Sequence, residues 1–376
     1  MKLGFDSKRL FFNFTGLGNY SRTLLKNLSY YYPENEYNLY SPKIKSTPET
    51  SFFIENSAFK KITPKSILKS YWRSYSVVKQ LQKDNIEIYH GLSNELPFNI
   101  QKSGIRSIVT IHDLIFKHYP NTYPAFDRKI YDLKFKQSCK NATRIVAISE
   151  STKNDIVNFY GIDSTKIDVV YQSCNPIYYK LQEQQVVDKI TQEYKLPSKY
   201  LLFVGSVEKR KNLKVIIESY QYLPNQLKLP LVIVGKLREQ SELLELIKNN
   251  KLEDLIHWRS DVKNNKDLQA FYQNAEVFIY PSLYEGFGLP VIEALLSKTP
   301  VITSNTSSLP EAGGPNSFYI NPTDSKEMAK AIERVVTEKD LKSEMIEKGY
   351  QYALNNFSAE VLTKKMMDVY KKTIKS

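Results

Sequence analysis

Two glutamates, Glu285 and Glu293, flank a short run with two glycines in the sequence YPSLYEGFGLPVIEALLSKTPVITSN. Pro290 is well placed as the first residue of a helix, so Glu285 falls in the loop before that helix and Glu293 about one turn inside it. The glycines let backbone amides approach a ligand closely, and amides at the positive end of a helix dipole favour a phosphate or a sugar oxygen. The pattern predicts an elongated ligand with a polyol at each end and anionic charge between.

Three cations stand together in VGSVEKRKNLKVI, namely Lys209, Arg210 and Lys211. They follow an apolar, strand-like run and precede a helix-like one, whose start is a second place for a phosphate. A diphosphate leaving group gains negative charge as its bond to a sugar breaks, and fixed cations stabilise that charge without a metal. Lys209 taken alone reads as a solvated surface residue.

Two further motifs lie in the first half of the chain. The run Thr15 to Tyr20, TGLGNY, is a predicted glycine-rich loop before the helical pattern YSRTLLKNL. A lone GxG means little, because glycines occur in most loops. His112 and Asp113 end the strand-like run SIVTIHD, although a lone histidine is more often packed than catalytic. His90 ends a neighbouring run and is a candidate supporting residue.

These residues follow apolar runs that alternate with longer helix-like segments. The runs are rich in Val and Ile without strict alternation, which is typical of parallel strands buried on both faces. Two sets occur, so the sequence predicts two doubly wound α/β sheets with ligands beyond the carboxyl ends of their strands. The polar segment 173–200 interrupts the rhythm and is predicted to be the linker. The runs are 86–91, 107–113, 144–149, 166–171, 200–206, 230–236, 276–282 and 300–305.

Length and composition set the broad class. The 376 residues exceed what one core usually supports, and 41% apolar composition is ordinary for a globular protein, so two domains separated by a cleft are expected. Two cysteines, Cys139 and Cys174, and four histidines encode neither a disulfide framework nor a structural zinc site. The start of the chain does not resemble a signal peptide, and no apolar run approaches 18 residues. A cytoplasmic protein, peripheral to a membrane at most, is expected.

Positive charge is concentrated in the first half. Residues 1–180 contain 26 Lys and Arg against 15 Asp and Glu, while the rest of the chain is nearly balanced. Such a bias fits nucleic acid, an anionic membrane face, an anionic substrate or merely a solvated surface. The segment 60–83 mixes seven cations with Trp72 and other apolar residues, a composition that suits a helix lying on an anionic bilayer or an ordinary packed helix. No zinc knuckle or RNP-like motif supports nucleic-acid binding.

The motifs together resemble the retaining glycosyltransferases of family 4 (glycosyl transferases group 1). PSLYEGFGLPVIEAL carries the E-x7-E signature, and FTGLGNYSRTLL, VTIHD, AISESTKNDI and VGSVEKRKN extend the resemblance along nearly the whole chain. The resemblance implies a GT-B architecture of two Rossmann-like domains facing across a cleft. It places an acceptor-binding domain at 1–178 and a nucleotide-sugar-binding domain at 179–357, with a final helix at about 358–376 packing back on the first.

The same resemblance assigns roles to the acids and cations. Glu285 is expected to contact hydroxyls of the transferred sugar near its anomeric carbon, and Glu293 to bind the ribose. Lys211 matches the family's phosphate-binding lysine. The family's other usual cation is missing, because Ser206 stands in its place, and Arg210 is the expected substitute.

The resemblance also implies further donor-binding residues. The N-terminal loop is expected to lie against the donor diphosphate, and His112 to contact the donor sugar. The backbone between the two glutamates is expected to hold the donor. These additional residues are Gly16, Gly18, Gly286, Phe287, Gly288 and Leu289.

The predicted reaction is retaining transfer of a hexose from a nucleotide diphosphate sugar to a glycan or lipid-linked glycan in the synthesis of a surface polysaccharide such as lipopolysaccharide. Similarity of VGSVEKRKN and SSLPEAGG to mannosyltransferase-like members favours mannose from GDP-mannose. No cofactor or metal is expected, since no DxD-type carboxylate pair follows a strand. The alternatives are a UDP-sugar with a small soluble acceptor, a GT-B isomerase or phosphorylase, and a basic nucleic-acid-binding protein. Peripheral contact with an anionic membrane is expected through residues 60–83.

Overall fold

The computed structural model describes residues 1–65, 68–236 and 241–376. Contacts divide these residues into two units, Met1–Ser173 with Ala359–Ser376, and Cys174–Ser358. Each unit is an α/β structure around one parallel sheet. Strands such as Leu201–Val204 and Leu231–Val234 are fully buried apolar runs, as expected of a sheet covered by helices on both faces.

The first unit contains a seven-stranded parallel sheet in the order β3-β2-β1-β4-β5-β6-β7. The order reverses between β1 and β4, which is the doubly wound pattern. The strands are β1 Lys2–Asp6, β2 Glu36–Tyr40, β3 Phe59–Ile62, β4 Ile88–Gly91, β5 Arg106–Ile111, β6 Arg144–Ala147 and β7 Ile167–Val169. The helices are α1 Lys8–Phe12, α2 Gly16–Tyr31, α3 Ser51–Glu55, α4 Lys69–Tyr71, α5 Val77–Lys83, α6 Ile115–His118, α7 Ala125–Asn141 and α8 Glu150–Tyr160.

The second unit contains a six-stranded parallel sheet in the order β10-β9-β8-β11-β12-β13. The order reverses between β8 and β11, so the loops after these two strands meet at the switch point. The strands are β8 Leu201–Val204, β9 Leu231–Val234, β10 Ile256–Arg259, β11 Val277–Tyr280, β12 Val301–Ser304 and β13 Phe318–Ile320. The helices are α9 Gln184–Glu193, α10 Leu213–Ser219, α11 Ser241–Asn249, α12 Asn265–Asn274, α13 Leu289–Leu296, α14 Leu309–Gly313, α15 Ser325–Thr337 and α16 Lys339–Phe357.

The last helix, α17 (Ala359–Lys375), packs in the first unit. Met366, Met367 and Tyr370 of α17 are buried in the same core cluster as Phe5 and other residues of the first sheet. The Tyr370 hydroxyl lies 2.8 Å from His90 Nδ1, so the helix is also held by a buried hydrogen bond.

The segment 173–200 is not the plain linker that its polar residues predicted. It contains a 3-10 turn at Pro176–Tyr179 and the helix α9, both within the second unit. Val187, Ile190 and Tyr194 are buried at helical spacing. The apolar period was present in the sequence, but it is short and lies among glutamines and charges.

Candidate functional site

The two loops at the switch point of the second sheet bring the predicted cations to the first predicted glutamate. After β8 the chain forms a 3-10 turn at Lys209–Lys211, and after β11 it runs through residues 281–288 to α13. The Leu283 amide donates to the Arg210 carbonyl (2.8 Å), and the Arg210 side chain donates to the Tyr284 carbonyl. These bonds tie the turn and the loop together, so the side chains they carry have fixed positions.

Glu285 is the centre of a buried ionic cluster. Its Oε1 lies 2.7 Å from Lys211 Nζ and 2.9 Å from Arg210 Nη1. Lys211 Nζ also donates to the Tyr280 hydroxyl oxygen (2.5 Å), and the Tyr280 hydroxyl donates to Glu285 Oε1, with 3.3 Å between the two oxygens. One carboxylate oxygen is therefore shared by two cations and a phenol, and a second acid, Glu208, lies 3.7 Å from Arg210 Nη2.

The electrostatics of the cluster keep all three charged groups ionised. Burial opposes the charge on Glu285, but Lys211 and Arg210 outweigh it and hold the pKa of Glu285 below its ordinary value. Burial likewise opposes the charges on Lys211 and Arg210, yet Glu285 raises the pKa of both. Such a charged cluster in a sheet-end loop can bind a diphosphate only if the anion replaces or joins Glu285.

The loop carrying Glu285 is held rigidly from a second direction. The Ser307 hydroxyl accepts from the Glu285 amide (3.0 Å), and the Ser308 hydroxyl donates to the carbonyls of Glu285 (3.0 Å) and Phe287 (2.7 Å). Phe287 is buried against the ring of Phe357, 5.7 Å away. The functional side chain thus projects from a loop whose backbone is already bonded.

Gly288 is the N-cap of α13 and has a φ of +120°, a conformation that side chains rarely adopt. A Cβ there would also lie 3.1 Å from the Leu309 side chain. Leu289 and Pro290 then begin the helix, one residue earlier than the sequence predicted. Gly286 is buried in the same loop.

Glu293 lies on α13 in a different environment. Its Oε2 accepts from the Tyr272 hydroxyl at 3.1 Å, and no described lysine or arginine pairs with it. Burial raises the pKa of Glu293 to about 7, opposed by the Tyr272 hydrogen bond. The carboxyl is therefore divided between its protonated and ionised forms near neutral pH, in contrast to Glu285.

His112 follows β5 in the first unit and is buried with both ring nitrogens engaged. Nε2 lies 2.9 Å from the Leu92 carbonyl oxygen, and Nδ1 lies 3.0 Å from the Gln172 amide nitrogen. A carbonyl only accepts and an amide nitrogen only donates, so the ring is neutral with its proton on Nε2. Burial lowers the pKa of His112 to about 4, which agrees with this state.

A chain of buried hydrogen bonds lies beside His112. The Thr110 hydroxyl is 2.8 Å from His90 Nε2 and 3.1 Å from the Tyr20 hydroxyl. The ring of Tyr20 packs edge-on against His112, with ring centroids 4.7 Å apart. His90 therefore supports the surroundings of His112 through Thr110 and Tyr20.

The predicted glycine-rich loop at residues 15–20 is largely helix, because α2 begins at Gly16. The Asn13 side chain caps the start of α2, since its Oδ1 accepts from the amides of Thr15 and Gly18 at 3.0 Å each. A Cβ on Gly18 would lie 1.7 Å from the Asn13 carbonyl oxygen, whereas Gly16 has open space around it. Packing thus requires a glycine at residue 18. At residue 16 the described part of the chain leaves room for a side chain.

Three side chains of the site were not predicted from the sequence. Tyr280, Tyr272 and Gln172 contact Lys211, Glu293 and His112 respectively. Tyr280 ends β11, Tyr272 lies on α12 and Gln172 follows β7 by three residues, and each is remote in sequence from its partner. Of the three, only Tyr280 could have been predicted from the sequence, because it is the last residue of the strand before the Glu285 loop.

Contact of residues 60–83 with lipid stays a prediction, although the structure places only part of this segment in helix. Lys60 and Lys61 lie in β3, and Trp72 is buried in the core of the first unit. Arg73 is buried and pairs with Asp6 and Glu95, both at 2.6 Å. Residue 67 lies outside the described residues. Of the aromatic residues, Trp72 packs in the core while Tyr71 and Tyr75 are exposed, and the charge of Arg73 is neutralised by acids distant in sequence.

Across residues 1–65, 68–236 and 241–376, no three His, Cys, Asp or Glu side chains are grouped so that they could hold a metal ion. Within the same ranges no helix is long and apolar enough to cross a bilayer. Cys139 and Cys174 are both buried and free.

Comparison with known proteins gives family matches over both halves. The model for glycosyltransferase family 4 matches residues 16–176, and the model for glycosyl transferases group 1 matches residues 187–352. The O-antigen chain mannosyltransferase B of Escherichia coli is 26% identical over 99% of this chain and all of its own length. The O-antigen chain mannosyltransferase RfbU of Salmonella typhimurium is 29% identical over 60% of each chain.

Solved structures share the architecture. A glycosyltransferase from Rickettsia africae aligns with a TM-score of 0.75 at 20% identity, covering all of this chain and 98% of its own. Anabaena HepE, solved in complex with UDP, aligns with a TM-score of 0.75 at 14% identity over 99% of this chain and 100% of its own. The two parallel-sheet units are the two Rossmann-like domains of the GT-B fold, as the sequence predicted.

Proposed function

Because this chain is a glycosyltransferase built from a family 4 domain followed by a group 1 domain, we propose that it transfers mannose from GDP-mannose with retention of anomeric configuration. The acceptor in this proposal is a glycan or lipid-linked glycan of a surface polysaccharide. Support for the sugar comes from relatives named O-antigen mannosyltransferases. The observation that carries the mechanism is the pairing of Glu285 with Lys211 and Arg210.

Lys211 and Arg210 hold the diphosphate of the donor. Their side chains converge on one oxygen, so a phosphate that replaces Glu285 there meets both cations at once. Negative charge grows on this phosphate as the bond from the anomeric carbon to the phosphate oxygen breaks. Cations already in place stabilise that charge with little reorganisation, and no metal is required for this step.

Glu285 exchanges partners when the donor binds. Displaced from the cations by the diphosphate, its carboxylate is free to accept hydrogen bonds from hydroxyls of the sugar next to the anomeric carbon. The two anionic groups are then separated by the cations. Before the donor binds, Glu285 is the counterion of Lys211 and Arg210, which bind the phosphate afterwards.

Transfer itself proceeds on one face of the sugar. The acceptor hydroxyl oxygen forms the new bond to the anomeric carbon from the side that the phosphate leaves. The hydroxyl proton passes to the departing phosphate oxygen. The reaction therefore needs no side chain of the protein as a base. His112 is neutral and hydrogen-bonded at both ring nitrogens, so in this mechanism it does not act as an acid, and a hydrogen bond to the sugar requires it to release either the Leu92 carbonyl or the Gln172 amide.

Glu293 binds the ribose of the donor nucleotide. A carboxylate on α13 can accept from both ribose hydroxyls, and Tyr272 holds one of its oxygens in place. The loop residues Gly286, Phe287 and Gly288, with Leu289 at the start of α13, supply the backbone that holds the donor between the two acids. Binding of the nucleotide therefore favours the ionised form of Glu293 and lowers its pKa.

A panel of nucleotide sugars tests the assignment of the donor. Thermal unfolding is measured with GDP-mannose, other GDP-sugars and UDP-sugars at equal concentrations, because a ligand of the folded state raises its stability with the logarithm of concentration above Kd. GDP-mannose should give the largest increase in Tm. A larger increase with a UDP-sugar would reject GDP-mannose while leaving the reaction class open.

A further inference from the structure

The Tyr280 hydroxyl is a neutral group bonded to both signs of charge in the ionic cluster. Its oxygen accepts from Lys211 Nζ at 2.5 Å, and its proton is donated to Glu285 Oε1 across 3.3 Å. Tyr280 is only 1% exposed, and burial together with the charge of Glu285 raises its pKa to about 12. The phenol is therefore neutral at pH 7 and keeps a proton that it can donate.

The ring of Tyr280 is packed so that its hydroxyl has a fixed position. It stacks on the ring of Phe278, with 5.8 Å between centroids, and its centroid lies 6.2 Å from that of Phe203. The Tyr280 carbonyl accepts from the Thr303 hydroxyl at 2.8 Å, which ties the end of β11 to β12. Lys211 Nζ lies 4.9 Å from the centre of the Tyr280 ring, so this cation contacts the ring as well as the hydroxyl.

We propose that the Tyr280 hydroxyl donates a third hydrogen bond to the leaving phosphate of the nucleotide sugar, beside Lys211 and Arg210. This inference rests on the proposed function, in which that phosphate takes the place of Glu285. The Glu285 Oε1 atom marks the point where three donors converge, at 2.7 Å, 2.9 Å and 3.3 Å. A phosphate oxygen at the same point accepts from all three of them.

The departure of Glu285 leaves the Tyr280 proton in need of another acceptor. Among the described residues Glu285 is the acceptor of this proton, and the ammonium group of Lys211 can only donate. A buried hydroxyl that loses its acceptor disfavours the complex unless the incoming group replaces it. The phosphate oxygen is an anionic acceptor, and the hydrogen bond to it strengthens as charge grows during bond breaking. Tyr280 therefore acts mainly on the transition state.

The variant Tyr280→Phe isolates the hydroxyl, because the ring and its contact with Lys211 remain. Turnover should fall at least tenfold, while KM for the nucleotide sugar should change less than about twofold. GDP carries the charge that the breaking bond creates, so calorimetry should show its binding weakened at least threefold. GMP lacks the phosphate that leaves the sugar, and its binding should stay within about 1.5-fold of the parent. If the thermal panel selects a UDP-sugar, UDP and UMP replace this pair.

The variant Tyr220→Phe is a matched control in the same unit. The Tyr220 hydroxyl belongs to a buried side chain and donates to the Leu229 carbonyl at 2.7 Å, outside the ionic cluster. This variant also loses a hydrogen bond of a buried phenol, so its Tm should fall about as much as that of Tyr280→Phe. Its turnover and its affinity for GDP should stay within about twofold of the parent.

The comparison of diphosphate with monophosphate separates a phosphate contact from a structural role. Equal weakening of both nucleotides by Tyr280→Phe would indicate a distorted site and would overturn the inference, as would turnover within about twofold of the parent. A parent protein that binds no nucleoside diphosphate would reject the proposed function and this inference together. A parent that binds one, with unchanged affinity and turnover in Tyr280→Phe, would overturn this inference alone.

Discussion

Glu285 Oε1 lies 2.7 Å from Lys211 Nζ in the described structure, and the same oxygen is 2.9 Å from Arg210 Nη1. The residue proposed to contact the sugar therefore neutralises the residues proposed to contact the phosphate. Removing its charge affects the two halves of the donor in opposite directions.

Glu285→Gln should bind the nucleotide diphosphate several-fold more tightly than the parent while losing at least a hundredfold in turnover. The amide leaves Lys211 without its acid partner and Arg210 with only the more distant Glu208, and it no longer offers a carboxylate to the sugar. Calorimetry with GDP and a turnover assay measure the two effects. Glu208→Gln is a matched control, because Glu208 is a more exposed acid 3.7 Å from Arg210. Turnover of Glu285→Gln within twofold of the parent would exclude Glu285 from the site.

Glu293→Gln should stabilise the free protein at alkaline pH. The pKa of Glu293 is raised to about 7 in the folded state, above its unfolded value of about 4.5, so its protonated form is favoured by folding. That contribution is complete below pH 4.5 and is lost as the pH rises through 7. At pH 8.5 the variant should gain roughly 2 kcal/mol, discounted because the side chain is partly exposed, and at pH 4.5 nothing.

The same variant should bind GDP more weakly, by about 1.5 to 3 kcal/mol for a lost charge-assisted hydrogen bond. Urea unfolding at the two pH values and calorimetry with GDP provide the measurements. Tyr272→Phe serves as a control that keeps the acid but removes its hydrogen-bond donor. Unchanged affinity for GDP in Glu293→Gln would refute the ribose role, whatever the stability shows.

Substitution of the two N-terminal glycines should separate packing from function. Gly18→Ala should destabilise the protein by about 2 to 3 kcal/mol, because its Cβ would lie 1.7 Å from the Asn13 carbonyl oxygen. Gly16→Ala has space and a helical position, so its stability should change by less than about 1 kcal/mol. Lower turnover with unchanged Tm in Gly16→Ala would support donor contact at the start of α2. Full turnover in a stable Gly16→Ala would remove that residue from the site.

Transfer should continue in EDTA. The diphosphate charge is assigned to Lys211 and Arg210, whose side chains are already directed at one point. Turnover after extensive chelation should remain within about twofold of the untreated protein, since the cations replace the metal in stabilising the leaving group. Loss of turnover that magnesium or manganese restores would contradict this assignment.

The sequence predicted the fold well where the pattern was local. Buried strands such as Leu201–Val204 are continuous apolar runs, and Pro290 marks the helix that carries Glu293. The sequence placed Lys211, Arg210 and Glu285 in loops that follow strands, but it did not predict their direct pairing. Tyr272 is brought to Glu293 by α12 packing on α13, and no local pattern encodes such a contact.

Predictions from the sequence failed where the role of a residue depends on a partner outside its own segment. Arg73 reads as a surface cation until Asp6 and Glu95 are brought to it by the sheet. Gly18 reads as a loop residue, yet it is a helical residue that lacks room for a side chain beside Asn13. In both cases the contact is made with residues outside the segment, so the periodicity of the segment alone does not reveal it.

The most direct test of the reaction is the anomeric configuration of the sugar first released from GDP-mannose. Nuclear magnetic resonance follows slow hydrolysis of the donor by the parent protein and by Lys211→Met, before the free sugar equilibrates. The parent should release α-mannose first, matching the donor, and Lys211→Met should slow release at least a hundredfold. Release of β-mannose first would contradict retention, and an unaffected Lys211→Met would contradict the assignment of the leaving phosphate to the Lys211 and Arg210 cluster.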